Sequence, residues 1–347
     1  MVTEAPKFQG EAGTVIEQVI GWLNDGLDAA MATVVSTWGS SPRPVGSHLG
    51  IDADGNMVGS VSGGCIEGAV VMEGIDAMRT GRPRLVEFGV TDDLAWELGL
   101  SCGGEVRVFV EPFAPWRQIW ADTGRALAGR RACVVSTRLD DGRKALYLDG
   151  ETTGDLAVSG SLLQGIRQAL ADDRSVTFED GGQDHFLRVY APPRRLIVVG
   201  AVHIAQFLIP MAELTGFSVI LVDPRRAFAA DHRFPGLAIR SEWPDEALAD
   251  LSLDRRSAIV VLTHDPKLDD PALTAALASE AFYIGALGSR RTHAARCERL
   301  IESGAESASL ERIRGPIGCD IGAVSPAEIA VSIMAEIVSS MRGGKGS

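Results

Sequence analysis

Two cysteines sit against glycine pairs: Cys65 in GSVSGGCIEGAV, residues 59–70, and Cys102 in LSCGGEV, residues 100–106. Glycine pairs make tight turns and let a ligand approach the backbone closely, but neither task requires a thiol. Following Gly63 and Gly64 at a predicted helix start, the Cys65 sulfur is expected near unpaired amide N–H groups and the positive end of the helix dipole. That setting favours thiolate, the nucleophilic and metal-binding form. The competing reading is a small buried apolar residue, the usual fate of a free cysteine. Cys102, in a loop entering the strand EVRVFVEP, reads either as a second thiol of the same site or as a residue packed beside a β-bulge. Zinc on Cys65, Cys102 and His48 has only a long spacing in its favour, and no metal site is assigned. The loop GSSPRPVG, residues 39–46, carries one guanidinium, Arg43, among hydroxyls and amides that suit a phosphate-like anion; a plain surface loop is the alternative.

A second set of candidates lies in the C-terminal half. GAVHIA, residues 200–205, stands where a dinucleotide-binding glycine fingerprint belongs, and Asp223 follows twenty-three residues after Gly200, where a ribose-binding carboxylate belongs. His203 opens the helix. The second glycine of the fingerprint is Val202, whose branched side chain obstructs ordinary NAD binding. Arg225 and Arg226 read either as partners of a ribose phosphate or as solvated charges. His264 and Asp265 follow the AIVVL strand, and Gly288, Ser289 and Arg290 follow the next, at strand ends that open onto a ligand crevice. A phosphate at the Gly288-Ser289-Arg290 turn fits a helix N-terminus. Capping and turn chemistry is the alternative for each.

These residues need elements to hold them. Val15, Ile16, Val19, Ile20 and Leu23 mark an opening helix with one apolar face. After it comes a strand, a hairpin at Asp54-Gly55, a helix closed by Gly81, and two further strands. Residues 132–193 echo residues 32–113: Ala32-Thr33-Val34-Val35-Ser36-Thr37 against Ala132-Cys133-Val134-Val135-Ser136-Thr137, and Val61-Ser62-Gly63 against Val158-Ser159-Gly160. Duplication is the favoured reading, with Gly64-Cys65 matched by Ser161-Leu162, so that leucine stands where the first copy has its thiol. From residue 194 the runs RRLIVVG, FSVILVD, AIVVLTHD and FYIGALG read as parallel strands buried on both faces, alternating with helices near 203–215, 270–279 and 290–303, and a last helix begins at Ser325 with a capping box. The expected architecture is α/β: an N-terminal domain over 12–192 of duplicated strand-hairpin-helix units, then a Rossmann-like doubly wound parallel sheet over 194–342.

The totals bound the partners. A net charge of −13 over 347 residues argues against a nucleic-acid or anionic-membrane binder. Five cysteines without a close pair give no disulfide framework, and with no signal-like N-terminus or membrane-length apolar run the expected address is the cytoplasm.

Together these segments resemble the XdhC/CoxI family of xanthine dehydrogenase accessory proteins. GSSPRPVGSHLGIDADGNMVGSVSGGCIEGAV and LSCGGEVRVFVEP resemble its N-terminal domain. GAVHIAQF, VLTHDPKLDDPAL, YIGALGSRRTH and RIRGPIGCDIGAVSPAEIAVSIMAEI resemble its Rossmann domain. The resemblance implies a chaperone that binds molybdenum cofactor, aids its sulfuration and inserts it into a molybdenum hydroxylase apoenzyme such as xanthine or carbon monoxide dehydrogenase, without independent turnover. A cysteine desulfurase is the implied sulfur source. Cys65 is then the first residue for cofactor binding or sulfur handling and Cys102 the second. Cys319, where the family pattern has leucine, is read as packing. Two other classes compete: an NAD(P)-dependent oxidoreductase using the Rossmann-like half, with His264 or Asp265 moving the proton, and a thiol redox protein using Cys65 and Cys102. The paired copies suggest a homodimer.

Overall fold

The computed structural model describes residues 11–38, 43–89, 105–225, 228 and 232–343. Contacts divide the chain into two units, residues 1–192 and 193–347.

In the first unit, α1 (Glu11–Asn24) buries Val15, Ile16 and Val19. The following strands β1 (Ala29–Trp38), β2 (His48–Asp52), β3 (Met57–Gly59), β4 (Arg84–Phe88) and β5 (Glu105–Pro112) form an antiparallel sheet in the order β3-β2-β1-β5-β4, with α2 (Glu67–Thr80) between β3 and β4. The Asp52 carboxylate accepts from the amides of Asp54 and Asn56 at 3.0 and 2.8 Å and holds the β2–β3 loop, where Gly55 is left-handed. After α3 (Arg117–Ala128) the pattern recurs: β6 (Cys133–Arg138), β7 (Lys144–Leu148), β8 (Glu151–Gly154), α4 (Gly160–Ala171), β9 (Val176–Asp180) and β10 (Gln183–Tyr190), ordered β8-β7-β6-β10-β9.

The strand order repeats, yet the register departs from the sequence match. Thr33 pairs with His48 and Phe109, whereas the same two neighbours in the second sheet, Lys144 and Phe186, belong to Thr137. Thr33 therefore corresponds to Thr137 rather than to Cys133, a slip of four residues along a strand whose apolar run looks alike in either register. Under this correspondence His48 is the counterpart of Lys144. Their carbonyls both face a left-handed glycine that a Cβ would drive into them, Gly59 at 2.4 Å and Gly154 at 2.2 Å. The sheets meet through Val35, Phe109, Leu139 and Phe186, two equivalent residues from each.

The second unit is a six-stranded parallel sheet. Its elements are β11 (Arg195–Val199), α5 (His203–Leu214), β12 (Ser218–Val222), β13 (Ala238–Arg240), α6 (Pro244–Asp250), β14 (Ser257–Val261), α7 (Pro266–Leu277), β15 (Tyr283–Ala286), α8 (Arg290–Glu302), α9 (Ser307–Leu310), β16 (Ile313–Arg314) and α10 (Pro326–Arg342). The order β13-β12-β11-β14-β15-β16 is that of a Rossmann fold. Alternate residues of β11 feed opposite cores: Leu196 and Val198 one face, Ile197 and Val199 the other. The short edge strands β13 and β16 carry no apolar run and escape sequence reading. Helix α7 starts at Pro266, earlier than the expected 270, because Asp265 caps it. The capping box of Ser325 and Glu328 forms as expected.

Candidate functional site

The Cys65 turn is organised by a carboxylate. Ser60 and Ser62 precede two left-handed glycines, Gly63 at φ 83° and Gly64 at φ 121°. This path bends the chain around Glu67, the first residue of α2. Glu67 Oε1 accepts from Ser60 Oγ at 2.7 Å, from the Ser62 amide at 2.9 Å and from the Gly63 amide at 3.1 Å. Its Oε2 accepts from the Gly64 amide at 2.9 Å and from Ser62 Oγ. The Ser62 hydroxyl oxygen in turn accepts from the amides of Cys65 and Ile66, at 3.0 and 3.1 Å. Burial works to raise the Glu67 carboxyl, but donation from the hydroxyls of Ser62 and Ser60 and from the Ser62 amide outweighs it and lowers the pKa to about 2.

This geometry corrects the expectation of unpaired amides behind Cys65. They are already spoken for, by Glu67 and Ser62, so Gly63 and Gly64 offer a ligand close approach rather than free donors. A Cβ on Gly64 would meet none of the described residues within 4 Å. Cys65 itself is exposed and lies just ahead of α2, which removes the buried-packing reading. Leu162, set against Cys65 by the sequence match, has its amide donating to Ser159 Oγ at 3.0 Å and is fully buried, but under the correspondence of His48 with Lys144 it falls opposite the buried Ile66. Both turns bury an apolar residue behind a serine cap, and the first also presents a thiol.

Arg43 reaches this turn. Its Nε donates to the Ser60 carbonyl at 3.2 Å and its guanidinium pairs with Glu11. Cys102 lies outside the described residues, as do Ser40 and Ser41. His48 does not join the thiol. Its Nδ1 bonds Thr33 Oγ1 at 2.9 Å and its Nε2 bonds Tyr190 OH at 2.7 Å, so neither nitrogen is open to zinc. Desolvation holds its pKa well below the ordinary value. Beside it, also between the two sheets, Lys144 Nζ pairs with Glu111 at 2.8 Å and donates to Thr137 Oγ1 at 2.7 Å, with both charged side chains almost wholly buried. Burial pushes the Glu111 carboxyl up and the Lys144 ammonium down, each opposed by the other's charge. Sequence reading passed over Glu67, Glu111 and Lys144. The serine-flanked turn ending in glutamate was the one signal available for Glu67.

In the second unit Gly200 has φ 112° and a Cβ there would meet Thr263 at 2.5 Å, so the tight turn after β11 needs glycine. Asp223, however, is buried and consumed. It accepts from the Ala201 amide at 2.8 Å, from the Arg225 amide at 2.9 Å, and from Arg225 Nε and an Arg225 terminal nitrogen at 2.9 and 2.7 Å. That corrects the ribose expectation: the carboxylate that should hold a ribose holds its own chain, and Arg225 is its clamp rather than a phosphate ligand. Arg226 lies outside the described residues. His203 is exposed and packs against Phe207 at a centroid distance of 5.3 Å. His264 is exposed, Asp265 caps α7 through the Lys267 amide at 3.0 Å, and Ser289 caps α8 through the Thr292 amide at 3.1 Å. Gly288 has φ 145°. Under this turn the buried Arg296 pairs with Asp269 at 3.2 Å and donates to the Leu287 carbonyl at 2.8 Å, pinning the α8 start to α7.

The sequence matches two family models, "XdhC and CoxI family" over residues 22–89 and "XdhC Rossmann domain" over residues 196–337. The molybdenum cofactor insertion chaperone PaoD of Escherichia coli (strain K12) is 28% identical over 328 residues, 94% of this chain and 87% of that protein. A probable xanthine dehydrogenase subunit of Bacillus subtilis (strain 168) is 28% identical over 327 residues, 92% of this chain and 95% of its own. The crystal structure of a xanthine dehydrogenase from Bacillus halodurans matches with a TM-score of 0.77 at 28% identity, covering 95% of this chain and 96% of that one. The likeness runs through both units rather than the Rossmann half alone.

Proposed function

The chain belongs to the XdhC and CoxI family, and on that premise we propose that it binds molybdenum cofactor, assists its sulfuration and inserts it into a molybdenum hydroxylase such as xanthine or carbon monoxide dehydrogenase. The observation that carries this reading is the exposed Cys65 on a glycine turn held by Glu67, with Arg43 at the same turn. Molybdenum in a dithiolene is soft enough to attract a thiolate, while Arg43, bonded to Ser60 and Glu11, braces the turn that presents it. A buried cysteine would be inert; this one is presented. The sulfur donor in this reading is a cysteine desulfurase, the working form is a homodimer and the compartment is the cytoplasm.

The test is Cys65→Ala. The variant is expected to fold normally, to retain less cofactor, and to fail to activate the apo-hydroxylase when supplied with cofactor and desulfurase. Unchanged retention and activation would remove Cys65 from the mechanism. Sedimentation of the purified chain reads the dimer. The nicotinamide alternative has no comparable support, since Asp223 is saturated by Ala201 and Arg225.

A further inference from the structure

With the usual nucleotide edge of the second unit occupied by its own Asp223 and Arg225, the open space lies at the opposite edge of the sheet. A cavity of about 1170 Å³ is bounded by β15, β16, the first residue of α8, the loop 315–323 and the inner face of α10. Ligand cavities commonly span roughly 300–1,000 Å³, so there is room here for a molecule of nucleotide size. The framework is cross-braced by hydrogen bonds. Arg312 donates to the carbonyls of Leu277, Ser279 and Ala281 at 2.7, 2.9 and 3.0 Å, while Glu336 accepts from Tyr283 OH at 2.5 Å and the Gly318 amide at 2.8 Å.

What these bonds leave over is chemically mixed. Arg290 and Arg314 line the cavity and, among the described residues, form no ion pair; the same holds for Glu311 and Asp320. The loop that leaves left-handed Gly318 and passes through left-handed Gly322 carries the amides of Asp320, Ile321, Gly322 and Ala323, which donate to none of the described residues. Cys319, read from sequence as packing, is partly exposed and lines this wall. Guanidiniums and amides call for an anion, and carboxylates call for a donor edge. An aminopyrimidinone ring bearing a phosphate presents both: paired N–H donors for one carboxylate, and phosphate oxygens for arginine and amides.

We propose that this cavity binds the phosphorylated pterin portion of the cargo, with Arg290 and Arg314 on the phosphate, Glu311 or Asp320 on the ring's amino edge, and Cys319 in the wall the ligand covers. This rests on the reading of the chain as a cofactor chaperone.

The experiment uses the full reduced chain, incubated with molybdenum cofactor freshly released from a donor enzyme and then gel-filtered. Retained pterin is read by fluorescence after oxidation, and iodoacetamide labelling of each thiol is followed by peptide mass spectrometry. Bound cofactor is expected to slow Cys319 alkylation roughly tenfold, as cover of most of the pocket wall requires. Arg290→Ala and Arg314→Ala are each expected to weaken retention by about ten- to a hundredfold, the loss of one charge-assisted hydrogen bond. Wild-type protein that retains cofactor while Cys319 reacts at its unloaded rate overturns the assignment and leaves the chaperone reading standing. Wild-type protein that retains no cofactor overturns that reading, and this inference with it. The labelling is done on unmodified chain, so a poorly folding variant does not decide the outcome.

Discussion

Glu67 is the residue on which the thiol turn depends. Five donors converge on its two oxygens at 3.1 Å or less, and neutral glutamine cannot accept from all of them with equal strength. Glu67→Gln is expected to cost about 2 kcal/mol, a fall of about 4–8 °C in the melting midpoint. The sign of its pH dependence follows from the lowered pKa. The folded carboxyl titrates at about 2 against an ordinary 4.5, so its contribution is complete above pH 4.5 and is lost as pH falls towards 2. Urea denaturation of wild type and variant should therefore show a stability gap that narrows only through that acid window. Cys65 was legible in the sequence as a thiol on a glycine turn. Its exposure was not, because a free cysteine reads alike whether buried or presented. Glu67 was hidden for a different reason: a first-turn glutamate looks like routine helix capping, and only the chain path through Gly63 and Gly64 brings the amides round to it.

Among elements, the strand ladders show where sequence periodicity suffices and where it fails. The four apolar runs of the Rossmann half become β11, β12, β14 and β15 because each is buried on both faces and cannot be confused with a surface strand. The short strand β16 carries only Ile313 and Arg314, and its place is set by pairing with β15 rather than by its own composition. In the first unit, where the strand order repeats, the order of elements was readable and the register was not, since Thr33 to Thr37 match Cys133 to Thr137 in type while the hydrogen bonds align Thr33 with Thr137. The turn after β11 gives a sharp test. Gly200→Ala places a Cβ 2.5 Å from Thr263 at a φ of 112°, and is expected to destabilise the second unit by about 1–3 kcal/mol, read by chemical denaturation. Between the sheets, Lys144→Met leaves Glu111 buried without its partner, for an expected loss of about 3–5 kcal/mol. Lys144→Met with Glu111→Leu should recover most of it. A double variant no better than the single one would show that the charges themselves hold the interface.

At the scale of the molecule, the two units carry different kinds of candidate site: an exposed thiol on a turn in one and a cavity with a polar wall in the other. No described helix is long and apolar enough to cross a membrane. The family resemblance was legible because its motifs fall on loops at strand ends, where sequence records function more directly than packing. The cavity was not, because its walls come from three separate stretches of chain, 281–290, 308–323 and 329–340, that only the folded sheet and its helices bring side by side. The Lys144–Glu111 pair has a consequence of its own at this scale. One charge is carried by β7 of the second sheet and the other by β5 of the first, and the His48–Tyr190 bond also crosses between the sheets. Either repeat assembled alone would leave these groups, and the apolar face around them, open to water and without their partners. Docking of the two sheets supplies both partners at once, which couples the folding of one repeat to that of the other.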